Sequence, residues 1–121
     1  MFSLNDSMRY WLYTEPTDMR KSFHTLSGLV RDRMVRNPLD GDVYIFINRH
    51  RNRMKLLHWE PGGLVLYSKM LERGTFGRPA GLQSDGSLAW RDLVMTVEGI
   101  MTDGTSRRKR LDELRREAGK I

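Results

Sequence analysis

The stretch from Val43 to Tyr67 limits what this chain can fold into more than any other, because it demands strands. Val43-Tyr44-Ile45-Phe46-Ile47 is a run of β-branched and aromatic residues, too short for a stable helix and suited to a strand. Met54 to Trp59 is a second such run and Leu64 to Tyr67 a third. Glu60-Pro61-Gly62-Gly63 separates the last two; proline presets one turn dihedral and glycine permits positive φ. The pattern is an antiparallel meander. Its first strand is apolar on both sides, which predicts a central strand covered on both faces.

The flanking segments supply the cover. Met8 to Tyr13 reads as an opening strand, broken by Thr14-Glu15-Pro16-Thr17-Asp18. Thr17 or Asp18 is placed to cap a helix starting at Met19. From there Met19, Phe23, Leu26, Val30 and Met34 recur at helical spacing, with Leu29 widening the stripe. Asn37 to Asp42 ends this helix. Met70 to Gly81 is a glycine-bearing connector with no element that the pattern defines. An Asp85-Gly86 turn precedes a short strand at Ser87 to Ala89. Arg91 to Ile100 then reads as a short helix with Leu93, Val94, Val97 and Ile100 inward. The expected fold is α+β: a single domain, a small antiparallel sheet with an amphipathic helix packed on one face, and a short C-terminal helix. Residues 1–104 form the compact part. Residues 105–121 hold seven Lys or Arg against three acids, with only Leu111 and Leu114 as an apolar stripe. They read as a flexible or partner-dependent helical tail.

Charge directs attention to one hairpin tip. Across the chain 21 Lys and Arg outnumber 15 Asp and Glu, a balance that favours nucleic acid as partner. Arg49, Arg51, Arg53 and Lys55 recur at every second residue at the first hairpin of the meander. In an extended segment they would share one face about 6.6 Å apart, although a turn near His50 to Asn52 must interrupt the alternation. Guanidinium forks pair bidentately with phosphate oxygens and with guanine edges. A charged tip is equally the ordinary solvated end of a hairpin. Arg20 and Lys21, near the expected helix start, offer a second anion site or a plain solvated helix charge. Arg107 to Arg110 divide in the same way between a DNA arm and a solubilising tail.

Other chemistry finds little to work with. There is no cysteine, hence no disulfide, no thiol nucleophile and no cysteine zinc site, in keeping with a reducing cytoplasm. His24, His50 and His58 match no metal-ligand spacing, and no serine has an evident His and acid partner. Asp40 and Asp42 flank a glycine turn, which is their simplest purpose. No signal peptide and no apolar run of membrane-spanning length is present. These features predict a soluble cytoplasmic protein with no cofactor, no metal, no membrane partner and no catalytic residues.

Four blocks in order make the sequence recognisable. They are Met19-Arg20-Lys21-Ser22, Asn48-Arg49-His50-Arg51-Asn52-Arg53-Met54-Lys55-Leu56-Leu57, Trp59, and Lys69-Met70-Leu71-Glu72-Arg73-Gly74-Thr75-Phe76. From about Tyr13 to Pro79 the chain resembles the TnpB-type accessory proteins, products of the second open reading frame, of the sixty-six family of insertion sequences. Glu98-Gly99-Ile100 resembles the close of that family's last helix. His50 and Asn52 stand where the family pattern has Arg and Asp, and Met70 where it tends to have Arg. The resemblance implies a role in DNA transposition beside a separate transposase that carries the catalytic acids. Its implied partners are element DNA, the transposase and other element-encoded proteins. Either the basic hairpin touches DNA, or the protein is an adaptor for the transposase with no DNA contact, in which case an exposed Trp11, Trp59 or Trp90 would matter.

Overall fold

The computed structural model describes residues 4–98, and no helix among them is long and apolar enough to cross a membrane. The order is β1 (Tyr10–Leu12), α1 (Phe23–Asp32), β2 (Val43–Ile47), β3 (Arg53–Glu60), β4 (Gly63–Met70), β5 (Ser87–Leu88) and α2 (Trp90–Val97). The strands form one sheet in the order β4-β3-β2-β1-β5. As the meander predicts, β2–β3 and β3–β4 are antiparallel, with Ile45 opposite Leu56 and Leu57 opposite Leu66. β1 departs from the expected antiparallel sheet: it pairs with β2 in parallel, Tyr10 beside Val43. The residues between them include α1, a crossover long enough to bring the chain back in the same direction.

β2 is the centre, with no residue more than 4 % exposed. Its alternation divides the core. Tyr44 and Phe46 join Trp11, Leu57 and the α1 residues Leu26 and Val30 on one face. Val43, Ile45 and Ile47 join Tyr10, Leu12, Met54 and Leu56 on the other, beneath Leu71, Phe76 and the α2 residues Leu93 and Val97. The connector with no predicted element thus becomes core through Leu71 and Phe76. Residues 99–121, including the last part of the predicted second helix and the basic tail, lie outside the described residues.

α1 is shorter than its apolar spacing predicts, beginning at Phe23 behind an N-cap at Ser22. Asp18 does not cap it. The Asp18 carboxylate instead accepts the Arg20 N–H at 2.9 Å, and the Lys21 N–H bonds to the Asp18 carbonyl, closing a separate turn. The carbonyls of Met19 and Lys21 accept the Lys55 ammonium at 2.7 and 2.8 Å. The turn before the helix is thereby tied to β3 through the Lys55 side chain. Met19 stays buried ahead of the helix, whereas Phe23, its first residue, is 40 % exposed and lies outside the buried stripe.

The other end of α1 is strained. Val35 adopts φ 55, and the Arg36 N–H turns back to the Val30 carbonyl. That geometry normally falls to glycine, because a β-carbon crowds the carbonyl oxygen in the left-handed region. The turn delivers the Arg36 guanidinium onto the Trp11 ring, 3.1 Å from its centre. Since the Val35 side chain is 82 % exposed, Val35→Gly loses no core contact. It is expected to stabilise the protein by about 0.5–1 kcal/mol, the relieved strain less the entropy of glycine, read as a higher urea midpoint at unchanged slope.

Two core tyrosines make the fold sensitive to alkali. Burial pushes the Tyr10 hydroxyl up to about 12, with Asp6 adding to the effect against a bond to the Asn5 carbonyl. Burial also raises Tyr44, assisted by the Asp40 carboxylate that accepts its proton at 2.8 Å. Both hydroxyls keep their protons longer when folded, so their stabilisation is full below the ordinary value of 10.0 and falls as pH rises above it. The urea midpoint is expected to fall as pH is raised from 10 to 12, and less steeply in Tyr10→Phe.

Candidate nucleic-acid interface

The first hairpin is built by Asn48. Its side-chain oxygen accepts the N–H groups of Asn52 and Arg53, both at 3.0 Å, and its amide donates to Asn52 Oδ1 at 2.7 Å. The Arg51 N–H closes the turn on the Asn48 carbonyl at 3.0 Å. Asparagine suits this place because one short side chain can accept from nearby main chain and donate to a neighbouring side chain. The result is a stiff tip between β2 and β3.

The four cations of the run do not form one cluster. Arg51 takes φ 56 and swings toward the connector, where Nε donates to the Phe76 carbonyl at 2.7 Å and Nη2 to the Gly77 carbonyl at 2.9 Å. The Phe76 N–H answers with a bond to the Arg51 carbonyl. Burial, and secondarily the nearby Arg78, depresses the Arg51 guanidinium from its usual basicity. Lys55, half-buried, lies under the turn before α1 with its ammonium on two carbonyls. Both are occupied in holding the chain together. Arg49 and Arg53 remain exposed, and neither forms an ion pair among the described residues.

Those two meet a third cation from elsewhere in the chain. A cleft of about 460 Å³ lies between the hairpin tip and the turn preceding α1, lined by Lys21, Arg49, His50 and Arg53 with Thr17 and Asn48. Pro16, Asp18 and Met19 complete its wall. Asp18 is the one acid among the described residues that line it. Its carboxylate is bonded by Arg20 through Nε at 3.0–3.1 Å and Nη2 at 2.6 Å, which holds it well below the usual carboxylate range. Arg20 is therefore turned to Asp18 and does not line the cleft, while Lys21 does. The first-turn residues of α1 are not in the lining; the turn before the helix supplies it instead.

The acids and tryptophans are accounted for differently. Asp42 is buried; Trp11 Nε1 donates to its Oδ2 at 2.8 Å and Arg9 stands 3.5 Å from Oδ1. Asp40 accepts the Asp42 N–H at 2.8 Å and the Tyr44 hydroxyl. Trp11 is buried beneath Arg36, Trp90 packs against Tyr10, and Trp59 is half-buried. No group of three or more His, Asp or Glu able to hold a metal occurs among the described residues.

The sequence profile of the IS66 Orf2 like protein family matches residues 8–107. This chain belongs to that family. Membership makes it an accessory protein associated with transposition of such insertion sequences. Two relatives come from Sinorhizobium fredii (strain NBRC 101917 / NGR234), the uncharacterized proteins y4hO and y4jC. They are 34 % and 30 % identical to this chain over 100 residues, covering 83 % of it and 87 % and 86 % of their own lengths. No solved structure matches.

Within the Asn-Arg-x-Arg-x-Arg-x-Lys run at 48–55, the roles divide by position. Asn48 shapes the tip, Arg51 and Lys55 tie it to other segments, and Arg49 and Arg53 face the cleft. Sequence reading missed Asn48, whose signal was its place at the end of an apolar run just before a turn. It also missed Thr17, which helps line the cleft. Arg51→Ala is expected to destabilise the fold by about 1–3 kcal/mol, because it leaves the Phe76 and Gly77 carbonyls without their donors. Arg49→Ala should stay within about 0.5 kcal/mol in the same urea titration.

Proposed function

We propose that this accessory protein binds element DNA through phosphate contacts made by Lys21, Arg49 and Arg53. The observation that supports this most is their convergence on one cleft from two segments far apart in sequence, with the cleft's Asp18 carboxylate bonded to Arg20. Arg49 and Arg53 are exposed and Lys21 half-buried, and with the Asp18 carboxylate bonded to Arg20 the three keep their capacity to replace counterions on a phosphate backbone. Arg20 acts indirectly, by neutralising the Asp18 carboxylate that lines the cleft. Arg51 and Lys55 act indirectly, by fixing the tip and the turn that carry the contacting cations.

We infer further that the role is non-catalytic. Asp40 and Asp42, which a metal-dependent nuclease would need to aim at substrate, are taken up by Tyr44, Trp11 and main chain. Two-metal chemistry requires carboxylates that hold ions about 3.5–4 Å apart and remain open to substrate. The cutting and joining of strands then belong to the transposase beside which this protein acts.

Fluorescence anisotropy with duplexes from the element's ends, compared with scrambled duplex, tests the reading. Replacing Lys21, Arg49 and Arg53 together by Ala is expected to weaken binding sharply while leaving the urea midpoint almost unchanged. If each neutralises about one phosphate, the slope of log affinity against log salt flattens by about 2.7. An unchanged slope would move the contacts elsewhere, and deletion of Thr105 to Ile121 tests the basic tail on its own. Absence of binding to either duplex by the intact protein would favour the adaptor reading.

A further inference from the structure

The two edges of the sheet are unequal. β5 closes one side with two residues, Ser87–Leu88. β4 forms the other with eight, Gly63–Met70, and no described strand lies on its outer side. Long edges are ordinarily protected by a proline, a bulge, charged side chains (lysine above all), inward charges, brevity or a covering segment. Among the described residues β4 has one of these, a single lysine. It pairs with β3 one residue to one from Glu60–Gly63 to Arg53–Met70, contains no proline, and carries Lys69 as its single charge. Leu64 and Leu66 lean on the α1 layer and Tyr67 on the opposite one, while Met70 is 64 % exposed.

We propose that β4 is a dimerisation edge, pairing antiparallel with β4 of a second copy so that two five-stranded sheets become one. The register follows from the turn. Glu60 and Gly63 bracket the two-residue turn Pro61–Gly62, so they form a hydrogen-bonded pair, and such pairs alternate along the ladder. The main-chain groups of Leu64, Leu66, Ser68 and Met70 accordingly point away from β3. A two-fold axis through an antiparallel pair runs along the sheet normal and continues each face into the same face. With Tyr67 on that axis, all four outward residues find partners: Leu64 meets Met70 of the second copy, and Leu66 meets its Ser68. Exposed Met70 is then covered. Lys69 faces Val65, so no like charges stand opposite each other, and the two Tyr67 rings form a cross-strand aromatic pair. This self-complementarity selects a second copy as the occupant. The proposal is independent of DNA binding.

The absence of cysteine permits a register-specific test on the full chain. Sedimentation equilibrium should give twice the 14.2 kDa of one chain. Ser68→Pro should shift the mass to that of one chain with an unchanged circular dichroism spectrum, because the N–H it removes points outward. In Tyr67→Cys the two thiols sit directly opposite, their β-carbons about 4.5–5.5 Å apart, and mild oxidation should give a covalent dimer. In Ser68→Cys they are diagonal neighbours about 7–8 Å apart and should cross-link far more slowly. A monomeric wild-type chain, a dimer that survives Ser68→Pro, or faster cross-linking at 68 than at 67 would each overturn the proposal. Faster cross-linking at 67, with a dimer lost in Ser68→Pro, would establish both edge and register.

Discussion

Five consecutive residues that must all be buried, Val43 to Ile47, set the problem that the rest of the structure solves. A strand apolar on both sides needs a neighbour at each edge and a layer on each face. β3 and β1 provide the edges, α1 covers Tyr44 and Phe46, and α2 with the connector covers Val43, Ile45 and Ile47. The parallel β1–β2 pair follows from the same demand. Once α1 lies between the two strands in sequence and over one face in space, the chain that leaves β1 returns to the sheet in the same direction.

That architecture decides what the cationic run can do. Residues alternating along an extended chain share a face only while it stays extended, and the tip at Asn48 to Arg53 breaks the alternation. Arg51, in the left-handed region, turns to the carbonyls of Phe76 and Gly77. Lys55, within β3, lies on the side where α1 docks and meets carbonyls of the turn before it. Cations directed at main-chain carbonyls satisfy groups that would otherwise be buried without donors. The same run therefore serves stability at two positions and offers charge to solvent at two others, and that division gives the cleft its shape.

A second polar assembly anchors the start of the sheet. Asp42 holds the Trp11 indole, Arg36 lies on its face, and Val35 bears the backbone strain that brings Arg36 there. Asp40 and Asp42 read from sequence as turn residues, and Asp40 does order that turn. Asp42 is also a buried acceptor. Its burial depends on β1 lying beside β2, a pairing across some thirty residues that no local pattern announces.

The sequence by itself determined the elements whose signal is local: three meander strands, an amphipathic helix, the Pro-Gly turn and the α+β class. It also determined the family, through blocks that keep their order and spacing. Tertiary structure alone decided what the turn before α1 meets, because the Lys55 ammonium that bonds its carbonyls comes from β3. It decided that the connector after β4 joins the core, where Leu71 and Phe76 pack beneath the sheet and Arg51 bonds the Phe76 and Gly77 carbonyls. It separated Arg49 and Arg53 from Arg51 and Lys55, and it added Lys21 to the first pair. Spacing along a chain reports which side chains share a face of one element; which carbonyl or cation waits opposite depends on how the elements dock.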